Sequence, residues 1–133
     1  MTLRAGLEDT LFSVEVEASS EPRDADAFAC AVILAICTAS VTPSVGRRTY
    51  GRCLRALAAG ATARLGFRHP GKADAIDAIW RERHRLYGEY AASADKLGYL
   101  ATLPWIGPMT RRAAAWNLGL TGAADEPERR AVA

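Results

Sequence analysis

Arg111 and Arg112 follow directly on a Pro/Gly turn, Leu103-Pro104-Trp105-Ile106-Gly107-Pro108-Met109-Thr110, and this order of residue types suits the holding of an anion. The first N–H groups of a helix have no partner within it, and the helix dipole adds partial positive charge there. A turn ending in Gly107-Pro108 aims the amides of the next helix at whatever lies on its terminus, with two guanidinium groups beside it. Nucleic-acid phosphates are anions of this kind. Trp105, Ile106, Gly107, Met109, Thr110, Arg111 and Arg112 are therefore the candidate contact residues, and DNA is the expected partner.

A second basic element is Arg48, Arg52 and Arg55, spaced i, i+4, i+7 on one side of a helical pattern. Taken alone, such a stripe is an ordinary solvated face; beside the turn, Arg48 and Arg52 become further candidates for phosphate contact. Other chemistry is sparse. His69 lies in a Pro/Gly connection and His84 on a charged helical face, and neither has the spacing of a metal site or a nucleophilic triad. Cys30, Cys37 and Cys53 are odd in number and lack the paired short spacings of zinc or iron–sulfur ligation, so no metal and no cofactor is expected. Asp125, Glu126 and Glu128 read by themselves as an acidic tail.

Charge is unevenly distributed. The 133 residues have a net charge of +2, yet residues 1–43 carry two arginines against seven acids, residues 44–117 carry thirteen Lys/Arg against five, and residues 118–133 carry two against three. The basic middle is the expected electrostatic footprint. Half the residues are apolar and 24% charged, a globular balance in a chain of one-domain length. Phe28 to Cys37 is continuously apolar but much shorter than the ~20 residues of a membrane span. Glu8, Asp9, Glu15 and Glu17 occupy the region where a signal peptide would be basic, so a cytoplasmic protein with no membrane partner is expected.

Helices must position these residues, for the pattern contains no convincing strand. Leu7, Leu11, Val14 and Val16 fit a short amphipathic helix, with the Val-Glu-Val-Glu alternation leaving a strand open. Asp24 or Asp26 caps a helix running through the apolar block to about Thr38, which should be central because it is apolar all round. Thr42-Pro43 or Ser44 opens a third helix with Leu54 and Leu57 inward. Gly60 to Gly71 is a connection, and Ala73 to about Ala92 is a single long helix. On it Trp80, Tyr87 and Tyr90 are spaced for one face, where core packing is favoured over stacking on bases. Ser93 is the expected cap of a hairpin over residues 94–119, whose second helix, Thr110 to Leu118, ends at Gly119; residues 120–133 form a short tail.

Leu103 to Leu120, reading L-P-W-I-G-P-M-T-R-R-A-A-A-W-N-L-G-L, resembles the helix-hairpin-helix of the endonuclease III and alkyl-base DNA glycosylase superfamily, the HhH-GPD family. It is especially similar to small bacterial and phage members whose hairpin reads L-P-[YW]-I-G-P-x-T and is followed by Lys-Pro-Asp-Arg. Thr38-Ala39-Ser40-Val41-Thr42 resembles the family's S-A-Q-A-T signature, with Ser40 where many members have a gap-filling Gln. Gly71-Lys72-Ala73 and Arg83-His84-Arg85-Leu86-Tyr87 resemble the helices before the hairpin.

The resemblance implies an all-α, single-domain helical bundle that binds duplex DNA, extrudes a modified base and hydrolyses its glycosidic bond. Extrusion is required because the bond is out of reach inside the stack. A carboxylate beyond the second hairpin helix would stabilise the positive charge that develops on the sugar. Glu126-Pro127-Glu128-Arg129 stands at the Lys-Pro-Asp-Arg segment, which makes Glu128 the implied catalytic group, or Asp125 in another register. Met109 occupies the place of the lysine of strand-cleaving members and cannot form a Schiff base, so a monofunctional glycosylase is implied. The sequence stops at Ala133, before the family's closing helices, and self-association or a partner chain is expected to cover that side. The alternative is a DNA-binding or protein-interaction relative of the glycosylase fold without catalysis. Which base would be read is not encoded in any of these motifs.

Overall fold

A computed structural model describes residues 21–120, and all regular structure in that span is helical. The carboxylates Asp125 and Glu128, and the expected helix at Leu7 to Val16, lie outside the described residues. The bundle is built around α1, Ala25–Thr38, which is buried from Phe28 to Cys37. Asp24 caps it, its Oδ1 accepting from the Ala27 amide at 2.8 Å. Five alanines and two cysteines along α1 are small enough for neighbouring helices to approach it on every side. All three cysteines are free thiols sealed in the core.

The second helix, α2, runs Pro43–Ala58 from an N-cap at Thr42, with proline in the first turn where its missing N–H has no consequence. It crosses the end of α1 at Gly46. A Cβ there would sit 2.7 Å from the Thr38 Cα, so only glycine permits the approach. Leu54 and Leu57 face inward as the periodicity requires. The connection expected over 60–71 ends at His69, because Pro70 and Gly71 already belong to the next helix, and it contains a 3₁₀ turn, Ala63–Leu65, fixed by Asp77, whose carboxylate accepts from the Ala63 amide at 2.7 Å and from the Thr62 hydroxyl.

The long helix expected over 73–92 is two. α3 spans Pro70–Arg81 and α4 spans Arg83–Ala92, with Glu82 at φ −103°, ψ 18° between them. No proline or glycine breaks the chain here, and the cause is tertiary. Arg83 donates through Nη1 to the Trp80 carbonyl at 2.8 Å and through Nε to Asp26 of α1 at 2.6 Å, with its guanidinium 4.0 Å above the Trp80 ring. Binding the Trp80 carbonyl and Asp26 together bends the helix around α1. The aromatic stripe is packing, as favoured: Phe28 lies 4.9 Å from the Tyr90 ring and 5.9 Å from Tyr87.

A short helix α5, Lys96–Leu100, and a longer one, α6, Pro108–Asn117, follow, joined by the turn 101–107. Asp95 rather than Ser93 caps α5, accepting from the Gly98 amide at 3.0 Å. Ser93 is instead committed to the linker, donating its hydroxyl to the Asp95 carbonyl. Asn117 anchors the far end of α6 to the middle of α1 through a 3.0 Å hydrogen bond to the Ala31 carbonyl. Among the described residues no helix is long and apolar enough to cross a membrane.

Candidate nucleic-acid interface

Three junctions meet on one side of the bundle: the end of α1 at Ala39–Ser40, the start of α3 at His69–Lys72, and the turn before α6. Lys72 joins the first two, its Nζ donating to the Ala39 carbonyl at 3.4 Å. Trp105 joins the second to the third. Its indole lies against Gly71, where a Cβ would stand 2.6 Å from Cζ3 and Cη2, and the His69 ring meets it edge-on at 5.1 Å. His69 also caps α3, its Nδ1 accepting from the Lys72 amide at 3.2 Å.

Backbone strain collects at this place. Ser40 at φ 66° and Trp105 at φ 65° are the only non-glycine residues with positive φ among the described residues. The left-handed region costs an L-residue ~1–2 kcal/mol relative to ordinary backbone. Trp105 is held there by its packing on Gly71 and His69, and strained backbone of this kind concentrates at binding and catalytic sites.

The remaining turn residues divide by exposure. Gly107 is the N-cap of α6 at φ −84°, with no side-chain cap bond and nothing within 4 Å of where a Cβ would be. Neither its conformation nor its neighbours demand glycine, and the bare backbone leaves the helix terminus open. Pro108 has no N–H, and the Arg111 amide already donates to the Gly107 carbonyl at 2.8 Å. The Met109 and Thr110 amides are thus the first-turn donors of α6 that helix geometry leaves without intrahelical partners. The Met109 side chain is 76% exposed, whereas the Thr110 side chain is buried and offers only its main chain. Ile106 is half-buried against the core.

Charge follows the same division. Among the described residues, the carboxylates of the basic segment are all engaged: Asp74 pairs with Arg64, Asp77 holds the 3₁₀ turn, Glu82 and Glu89 hold Arg85, and Asp95 caps α5. Arg48, Arg55, Arg68, Arg111 and Arg112 are exposed with no acidic partner among those residues. Arg52 departs from the expected stripe. It is directed to its own fold, donating to the Gly66 carbonyl at 3.4 Å and the Thr49 hydroxyl at 3.2 Å.

His69, Gly71 and Lys72 were not singled out by sequence reasoning as part of this face. The available signal was the repetition of a helix start with proline at its first position, His69-Pro70 resembling Gly107-Pro108. Among the described residues no cluster of His, Cys, Asp or Glu is able to hold a metal ion. In comparisons with known proteins the chain matches no family model, no curated protein and no solved structure.

Proposed function

We propose that this protein binds duplex DNA through the face formed by Ser40, His69 to Lys72 and Trp105 to Arg112. The observation that carries the reading is the meeting of the α3 and α6 N-termini at Trp105 and Gly71, flanked by guanidinium groups with no acidic partner among the described residues. Helix termini supply amide donors and partial positive charge, and arginines add the long-range attraction that a polyanion needs. The test is binding of a labelled duplex as a function of salt. A linear fall of log K with log salt, whose slope lessens when exposed arginines are removed, supports the reading; absence of binding at low salt overturns it.

The family resemblance extends this reading to hydrolysis of the glycosidic bond of a modified base. By that resemblance, the charge that would stabilise an oxocarbenium-like sugar belongs to Glu128, or to Asp125 in another register. With Met109 in the turn, base release would leave an intact abasic strand and no borohydride-trapped adduct. Glu128→Gln is expected to lower base release while sparing binding, since the contact matters mainly as charge develops. Full activity in Glu128→Gln with loss in Asp125→Asn would move the catalytic register by three residues. No base release from any modified duplex, with binding intact, would leave a non-catalytic DNA-binding protein.

A further inference from the structure

Seven large apolar side chains are exposed among the described residues, and two of them, Trp105 and Met109, lie on the turn and helix start that form the candidate interface. Phosphates have no use for them. A surface meant only for the backbone of an intact duplex would be polar and basic throughout, as phosphate contacts require nothing else. Here a Trp 48% exposed, in the turn, and a Met 76% exposed, in the first turn of α6, precede the Arg111-Arg112 pair by six and two residues. Apolar and aromatic side chains surrounded by cations are what proteins insert at an opened base step, where the faces of unstacked bases are available.

Trp105 is built for such a contact. The edge of its six-membered ring is backed by Gly71, and the His69 ring braces it edge-on. A braced ring loses little conformational freedom when a base stacks on it, so the stacking energy is retained as affinity. We propose that Trp105 is a stacking platform that selects DNA with an already opened base step, a gap or an unpaired nucleotide, over intact duplex. This inference rests on the DNA-binding reading and adds to it a preference that phosphate contacts cannot supply.

The experiment compares the full chain on two labelled duplexes of equal length and sequence, one intact and one lacking a single internal nucleotide. Wild-type protein is expected to bind the gapped duplex about tenfold more tightly, the scale of one base–aromatic stack. Trp105→Gly, which suits the left-handed backbone at φ 65° and so preserves the turn, should bring the ratio close to one. Trp105→Phe should restore most of it. Replacing Arg111 and Arg112 by Ala should weaken both duplexes together and leave the ratio in place. Equal binding of the two duplexes by wild type, or an undiminished ratio in Trp105→Gly, overturns the platform while DNA binding stands. Binding of neither duplex removes both readings, and self-association abolished by Trp105→Gly would then assign the apolar face to a second copy of the chain.

Discussion

At the scale of single residues, Arg111 and Arg112 carry a clear expectation. Both are exposed, follow the open terminus of α6 and have no acidic partner among the described residues. Their joint replacement by Ala should weaken duplex binding about equally for all sequences and reduce the salt slope by about one unit per lost phosphate contact. Titration of labelled duplex at several salt concentrations measures both. An unchanged slope would place the phosphate contacts elsewhere. Glu89 offers a test of the fold. The Tyr99 hydroxyl donates to it at 2.8 Å and Arg85 lies at 3.0 Å, and together they hold its carboxyl below the usual range. A lowered carboxyl stabilises the fold above the unfolded pKa and ceases to do so as pH falls through the folded one. Tyr99→Phe should shift the Glu89 titration, followed by NMR, back upward while the Arg85 share remains.

At the scale of elements, the crossing of α1 with α2 depends on one missing methyl group. A Cβ at Gly46 meets the Thr38 Cα and Cγ2 at 2.7 Å, and backbone cannot move aside as a side-chain tip can. Gly46→Ala should therefore destabilise the protein by about 1–3 kcal/mol, the usual cost of overpacking, read by denaturant unfolding. Gly107→Ala meets nothing, so the fold should persist while binding at the α6 terminus weakens. Leu34 in α1 is 5% exposed, and Leu34→Ala should cost ~2–5 kcal/mol if α1 is the centre of the core. A loss within experimental error would make α1 peripheral. The caps Asp24 and Thr42 are among the positions the sequence offers, because a cap acts within three residues of itself, whereas the helices expected from Ala73 and Thr110 start earlier, at Pro70 and Pro108. The break at Glu82 could not be read from the sequence, because it depends on Asp26, 57 residues from Arg83.

Viewed as a whole molecule, the bundle is sealed around its thiols. Burial pushes the Cys30 thiol up to about 12, and the hydrogen bond with Cys53, together with burial, raises Cys37. Cys53 is fully enclosed and donates its S–H to the Ala63 carbonyl. Native protein should resist an aromatic disulfide reagent at pH 8, and all three cysteines should react once denaturant opens the core, since only an accessible thiolate attacks. Labelling of any cysteine at the rate of a free thiol in native buffer would show that α1 is not enclosed.

The sequence alone determined that the described chain is helical, that Phe28 to Cys37 forms the core, and that a helix with two arginines in its first half follows the Pro/Gly turn, although that helix starts at Pro108 and not at the expected Thr110. Each follows from local periodicity, capping chemistry or composition, which act over a few residues. Tertiary structure alone decided that Arg52 serves the Gly66 carbonyl, that Thr110 turns inward, and that Ser40, Lys72 and Trp105 share a face. Lys72 reaches Ala39 across 33 residues and Trp105 reaches Gly71 across 34, and such meetings are set by how helices cross. Periodicity reports which side of a helix is apolar; it does not report which other helix lies against that side.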